Sequence, residues 1–492
     1  MRKAAVAAIV VAALVGVGVA AVPVVERVAA GQIKAGIERD GSLTVGQVEV
    51  GLFDRRVVLT DLRSSSGADM SVGRWEATGL AWPLGELLRG RTPLAGFRWG
   101  DPLRAERIEL QDVRVAGQGP RAGWSASSLV VEGFDLGRFD GSDTGPYRVP
   151  VLLARAMAAL SVRRAEQRNL VFTLPGSGDT FGVAATVVED YRSGRMAAIT
   201  SAGLEATASQ GRAPILRVAD VEARGLDVRR IVAAFSSSDW HPDAPIGQVR
   251  VDRASASGFG GDLLSRYGVS LGEVSLETVR EGDTISRSRS RIEGFVLAPP
   301  LRSMEGLQLR LVLQAMGLRE LKMGFDCAGT EDRGRGEATI DRCVLLGTDL
   351  GEVNFTGHIT GADEAFWRAL DDNDAAALYD TKAVLAAARL VLADRSLLER
   401  GLKALAATTG QTLAVTRSNL ARDIRRYQPA GVLITPGVTQ LQDVVARFVE
   451  QGGTLAIDAR PDPPLALDRL DYLMSPGADL VSALGLSAVL SR

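Results

Sequence analysis

Two cysteines and two histidines are all that 492 residues contain. That scarcity closes off most metal and nucleophile chemistry. Two cysteines cannot complete a zinc shell alone, and His241 and His358 lie far apart in the chain. No metal ligands are therefore expected. No cofactor is expected either, because Gly258-Phe259-Gly260-Gly261 lacks the spacing of a dinucleotide loop and reads as a turn. Gly268-Val269-Ser270-Leu271-Gly272 matches the nucleophile-elbow pattern, but that chemistry needs a strand-turn-helix and a histidine base. His358 falls on the polar side of a strand, and His241 precedes Pro242 in a loop-like stretch. No catalytic residue is expected, and the chain reads as a non-enzyme. Asp371-Asp372-Asn373-Asp374 lacks the glycine and distal glutamate of a calcium loop, and Asp374 suits a helix N-cap. A net charge of −2 gives no field that would gather nucleic acid, so none is expected as a partner.

Charge is also missing from one long run. After Arg2 and Lys3, Ala4 to Val25 carries none. At about 1.5 Å per residue the run spans a hydrocarbon core, and basic residues before it stay on the cytoplasmic side. The expectation is a single-pass membrane anchor over 1–25, with the bulk of the chain outside the cytoplasm. A cleaved signal peptide is the alternative, since Val19-Ala20-Ala21 resembles a cleavage site, although Pro23 follows closely. Val28, Ile33 and Ile37 then suggest a short helix closed near Gly41.

Hydrophobic residues at 46% and 54 glycines allow a real core with many tight turns. The fold class reads as mainly β: a long twisted antiparallel sheet, groove-like, over 26–360, then a C-terminal α+β cap over 361–492. Leu43 to Arg63 is a strand pair around a turn at Phe53-Asp54-Arg55-Arg56, its first strand carrying one slipped residue. Leu307, Leu309, Leu311 and Leu313 alternate with other residues, as do Val353, Phe355 and Ile359, which is the period of half-buried strands. Asp61-Leu62, Asp112-Val113, Asn169-Leu170 and Asp220-Val221 form a weak repeat. A second is Gly79-Leu80, Gly133-Phe134, Gly225-Leu226 and Gly294-Phe295. Both read as units of a stacked array. Short helices are expected at Leu84 to Leu88 and Val149 to Leu160.

Within the cap, Asp374 to Ala388 reads as helix and Leu390-Val391-Leu392 as strand. Ser396 to Glu399 and Thr439 to Gln442 read as capping boxes, the second opening a stripe through Leu441, Val444, Val445, Phe448 and Val449. Thr454 to Asp458 reads as strand and Leu480 to Leu490 as helix.

Cys327 and Cys343 flank a turn-rich tip at Asp332 to Gly336, so one hairpin would set them face to face. They would bond in an oxidising compartment, with two free buried thiols as the alternative. The phase of Ile340 against Cys343 requires a bulge. Arg287, Arg289 and Arg291 project to one side of a strand. They read either as a contact for anionic headgroups or as a charged edge that blocks strand addition.

Residues 1–63, an anchor followed by a short helix and the strand pair Leu43–Val50 and Arg56–Leu62, resemble the AsmA-like proteins of Gram-negative envelopes. The strand-rich middle is similar to that group or to YdgA-type proteins. The resemblance implies a periplasmic sheet with a greasy concave face and a part in envelope lipid homeostasis. Expected partners are membrane lipids and other envelope proteins. The lipid-facing candidates are Leu307, Leu309, Leu311, Leu313, Val353, Phe355 and Ile359. A structural or assembly factor that binds partner proteins through a sheet edge or cap helices is the other expectation.

Overall fold

Alternating sequence becomes strand after strand, paired antiparallel. The computed structural model describes residues 22–39, 41, 43–64, 70–81, 99–116, 123–142, 145, 147–211, 213–241, 249–282, 284–372, 374–428, 433–469 and 479–492. The expected helix at Leu84 to Leu88 and most of the anchor run lie outside them. No helix among the described residues is long and apolar enough to cross a membrane. Contacts divide the chain into residues 1–215 with 220–250, and residues 216–219 with 251–492. The division therefore falls well before residue 361, where the composition changes.

The first unit carries β1 (Leu43–Thr44), β2 (Gln47–Gly51), β3 (Arg56–Ser64), β4 (Met70–Thr78) and β5 (Leu103–Val115). They are followed by β6 (Gly123–Leu136), β7 (Leu160–Thr173), β8 (Thr180–Arg192), β9 (Arg195–Thr207) and, from Asp220 onward, β10 (Leu216–Asp227). From β3 to β9 each strand pairs antiparallel with the next. One face is apolar. A helix over 22–37 lays Ala29 and Ile33 on it, against Val45, Val57 and Leu59. Val28 of the same helix is 52% exposed. The expected helix after β6 is present as Arg148–Ala159. The other face is a lattice of charge: Arg107, Glu132, Arg164 and Glu189 stand side by side on β5 to β8.

The weak repeats turn out to be bends. Asp61, Asp112 and Asn169 are left-handed, with φ of 51°, 53° and 50°, and Gly203 follows at 63°. Register sets them on β3, β5, β7 and β9, opposite Gly46, Gly73, Ser127 and Ala184. Together they form a crease across the sheet. A left-handed residue swings its Cβ towards the facing strand, so only small residues fit there. A Cβ placed on Gly73 would stand 3.1 Å from that of Asp112. Each crease residue shifts the apolar phase by one, so Leu59 and Leu62 share a face; the slip read in the first strand lies opposite Asp61, at Gly46 between β1 and β2. Gly79, Gly133, Gly225 and Gly294 are left-handed as well, whereas Asp220 is not. The spacing of these residues therefore reflects strand length. Only Gly, Asn and Asp visit this conformation cheaply. We expect Asp112→Val to cost about 1–2 kcal/mol and Asp112→Gly almost nothing, read by urea unfolding.

Asp227 closes β10. Hydrogen bonds from Arg229, the shortest 2.7 Å, hold its carboxyl down to about 2, against an ordinary 3.8. Folding favours the carboxylate. Its contribution is whole above 3.8 and is lost as pH falls through about 2. D227N should flatten that part of the acid unfolding curve.

The second unit carries β11 (Arg253–Ser257), β12 (Val269–Ser270), β13 (Glu273–Glu281), β14 (Ile285–Leu297), β15 (Leu321–Asp332) and β16 (Glu337–Gly347). Then come β17 (Gly351–Thr360), β18 (Val384–Asp394), β19 (Thr454–Ala459), β20 (Leu465–Ala466) and β21 (Leu486–Ser491). Strands β13 to β19 pair in sequence, and β21 pairs with β19. The sheet thus continues through residue 361: β17 and β18 pair along their length. What changes there is the arrival of helices.

Several expectations are corrected here. Leu307, Leu309, Leu311 and Leu313 lie in the helix Met304–Ala315, not a strand. The Ser303 side chain caps it, accepting from Gly306 N at 2.9 Å. Asp374 does cap a helix, but only Ala375–Tyr379; the rest of the Ala-rich run joins β18, where pairing with β17 outweighs helix propensity. Leu480–Ala483 is a single turn, and the remaining tail is β21. Thr435, not Thr439, caps the helix Pro436–Gln451. Ser396 precedes the helix Leu397–Thr409 without a side-chain cap, and Asp394 accepts from Leu398 N instead. Gly268 ends the helix Asp262–Tyr267 and leads into a strand, the reverse of a nucleophile elbow.

Candidate functional site

Directly opposed residues share a face of an antiparallel sheet. In the second unit one such row runs Ala256, Val274, Ile292, Phe325, Leu345, Val353, Leu392, Leu455 and Leu490. Each member is apolar. The neighbouring row carries Cys327, Cys343, Phe355, Leu390 and Ile457. So much apolar surface on one face must meet something other than water.

Helices cover part of it and leave a cleft of about 350 Å³. Its floor is Leu321, Met323, Leu345, Val353 and Leu392. Its walls come from three helices: Leu313 of Met304–Ala315, Leu397 and Leu398 of Leu397–Thr409, and Phe448 of Pro436–Gln451. Among the described residues, Glu352 and Asp394 are the only charged ones at its lining. Local chemistry fixes this roof. The Leu350 carbonyl accepts from the amides of Arg395, Ser396 and Leu397 at 3.0–3.1 Å, which starts the helix Leu397–Thr409 at the sheet's rim. Arg400 then reaches the carbonyls of Met316 at 3.3 Å and Gly317 at 3.1 Å, tying two roof helices together. The size and apolar lining match a small-molecule site.

The expected site residues divide. Leu313 and Val353 line the cleft. Leu309 is half-buried on the inner side of its helix. Leu307 and Leu311 face outward, 38% and 57% exposed. Phe355 lies on the apolar face beyond the cleft, 37% exposed. Ile359 instead packs on Phe366 and Trp367 under the helix Glu364–Asp371. Cys327 and Cys343 are directly opposed and bonded. The bulge that the phase required is there, with Asp341 as the extra residue.

Arg287, Arg289 and Arg291 share the opposite face. Their strand, β14, lies between β13 and β15, so they are not an edge device. They are also engaged: Arg287 with Glu281, Arg289 with both oxygens of Asp326, and Arg291 with Asp326 at 3.7 Å. Hydrogen bonds from Arg289 hold the Asp326 carboxyl below its ordinary range. His358 lies on this face too, its Nε2 buried without a partner among the described residues. Among those residues no group of acids, histidines and cysteines could hold a metal ion.

Sequence reasoning missed Leu345, Leu392, Leu321 and Met323. Leu345 stands in the unbroken run Val344-Leu345-Leu346, where no alternation marks which residue turns inward.

A family model described only as "Uncharacterized protein" matches residues 345–490. The match starts at Leu345 and ends at Leu490, both members of the apolar row. No curated protein matches the chain.

Proposed function

We propose that this chain is a non-enzymatic, single-pass inner-membrane protein whose periplasmic sheet binds and guides lipid acyl chains. One observation carries the reading: the apolar cleft of about 350 Å³ between the second unit's sheet and its helices, open onto a row of apolar residues. Each methylene buried there favours binding by about 0.8 kcal/mol. The uncharged run Ala4 to Val25 supports the address, and the likeness of residues 1–63 to AsmA-like proteins fits both. The cystine suits an oxidising compartment. The test is native mass spectrometry of the full chain extracted from its membrane. Acyl lipid should stay bound after detergent exchange, and a lipid-free protein would sink the proposal.

A second reading, an envelope assembly factor, draws on β21. Leu486–Ser491 carries no charge and no proline, and among the described residues it pairs only with β19. Such an edge is a template for an added strand. Reproducible cross-links from Val489 to one envelope protein would favour it.

A further inference from the structure

The helix Met304–Ala315 is apolar on both sides. Gly306, Leu309 and Leu313 face inward, and Leu313 reaches the cleft. Met304, Leu307 and Leu311 follow one another at helical spacing on the outer side, with Val312 beside them. Met304 is 70% exposed and Leu311 57%. Leu301 extends the patch at 66%. Ser303 Oγ donates to the Arg266 carbonyl at 2.7 Å, which brings up the helix Asp262–Tyr267 with its exposed Leu263 and Tyr267. A surface helix normally turns only one stripe of apolar residues inward. This one has a second, unburied stripe, and clusters of that kind mark contact surfaces.

The charges around the patch point to its partner. Arg302 and Arg319 are exposed and make no ion pair among the described residues. Arg310 donates to the Pro299 carbonyl at 3.3 Å. Asp262 is paired with Arg266, whose charge Glu305 also feels, and Glu320 is paired with Lys322. Five cations, Arg266, Arg302, Arg310, Arg319 and Lys322, thus stand against three acids, Asp262, Glu305 and Glu320, and Arg302 and Arg319 are the exposed ones outside any ion pair here. An apolar helix face rimmed by arginine is the chemistry of a helix lying in the headgroup layer of an anionic bilayer.

We propose that the outer face of Met304–Ala315 docks on an anionic lipid leaflet and that this contact feeds the cleft. The proposal rests on the acyl-chain reading above and names the source of the chain: a lipid still in its bilayer. One helix separates the two, with Leu311 on the leaflet side and Leu313 in the cleft.

The test places an environment-sensitive probe on Met304→Cys in the full-length chain; both native cysteines are bonded, so the new thiol is the one available for labelling. Vesicles contain phosphatidylglycerol and phosphatidylethanolamine with brominated acyl chains. The signal reports where residue 304 lies, whatever else tethers the chain. Strong quenching is expected, weak in pure phosphatidylcholine, and reduced roughly tenfold or more in R302Q/R319Q. L311E should abolish it. An unquenched probe in every vesicle overturns docking, and so does a probe already shielded without vesicles, which would mark a protein partner or a second copy. Lipid retained by L311E is measured separately by mass spectrometry. In the unsubstituted Leu311 background, retained lipid without quenching sinks the docking alone, and quenching without retained lipid sinks the cleft reading alone; L311E that loses quenching yet keeps its lipid sinks the feeding step.

Discussion

Filling the cleft should empty it of lipid. We expect V353F combined with L398F to lower bound acyl lipid at least tenfold while the protein stays folded. Both residues line the cleft, Val353 on the floor and Leu398 on the wall. Two phenyl rings would occupy space otherwise open to a chain. Displacing about two methylenes costs binding about 1.6 kcal/mol, slightly more than a tenfold loss. Stability separates a real void from packed core. Enlarging side chains in a well-packed interior costs about 1–3 kcal/mol. In an open cleft the same change should be neutral or stabilising. Quantifying lipid and the urea midpoint on one preparation therefore decides the matter. A destabilised protein with unchanged lipid would mean that these residues pack on the chain itself, and the carrier reading would fall.

That experiment targets residues of which only some could be named from the sequence. Strand identity was legible wherever one face meets water, because alternation records the pleat. It was misleading at Leu307 to Leu313. Leucines two apart fit a strand, but Leu309 and Leu313 are four apart, as are Leu307 and Leu311, and both pairs also fit a helix. Ser303 and its capping bond decide for the helix. Buried runs carry no phase at all, which hides Leu345. The stripe ending at Phe448 and Val449 was plain, but which surface it covers depends on a sheet assembled from residues far away. The repeats failed differently. Asp61, Asp112 and Asn169 were seen, but their shared left-handed backbone becomes visible only when register lines them up. The arginine row failed for want of topology: whether β14 is an edge depends on β15, reached through the intervening helix Met304–Ala315.

Breaking the Cys327–Cys343 bond should cost about 3 kcal/mol, the value expected for a cross-link over a loop of this size. The separation is 16 residues. Both cysteines sit on strands that keep a second partner, β15 with β14 and β16 with β17. The folded hairpin should therefore survive reduction, and the loss should come from a freer unfolded chain. Two signatures follow. The urea midpoint falls, and the dependence on urea steepens, because an unlinked chain exposes more surface. Comparing reduced wild type with C327A/C343A isolates the cause, since reduction leaves the side chains in place. Equal losses identify the cross-link. A loss confined to the alanine variant would instead identify packing on the apolar row beside Phe355, and the bond would then be incidental to the sheet.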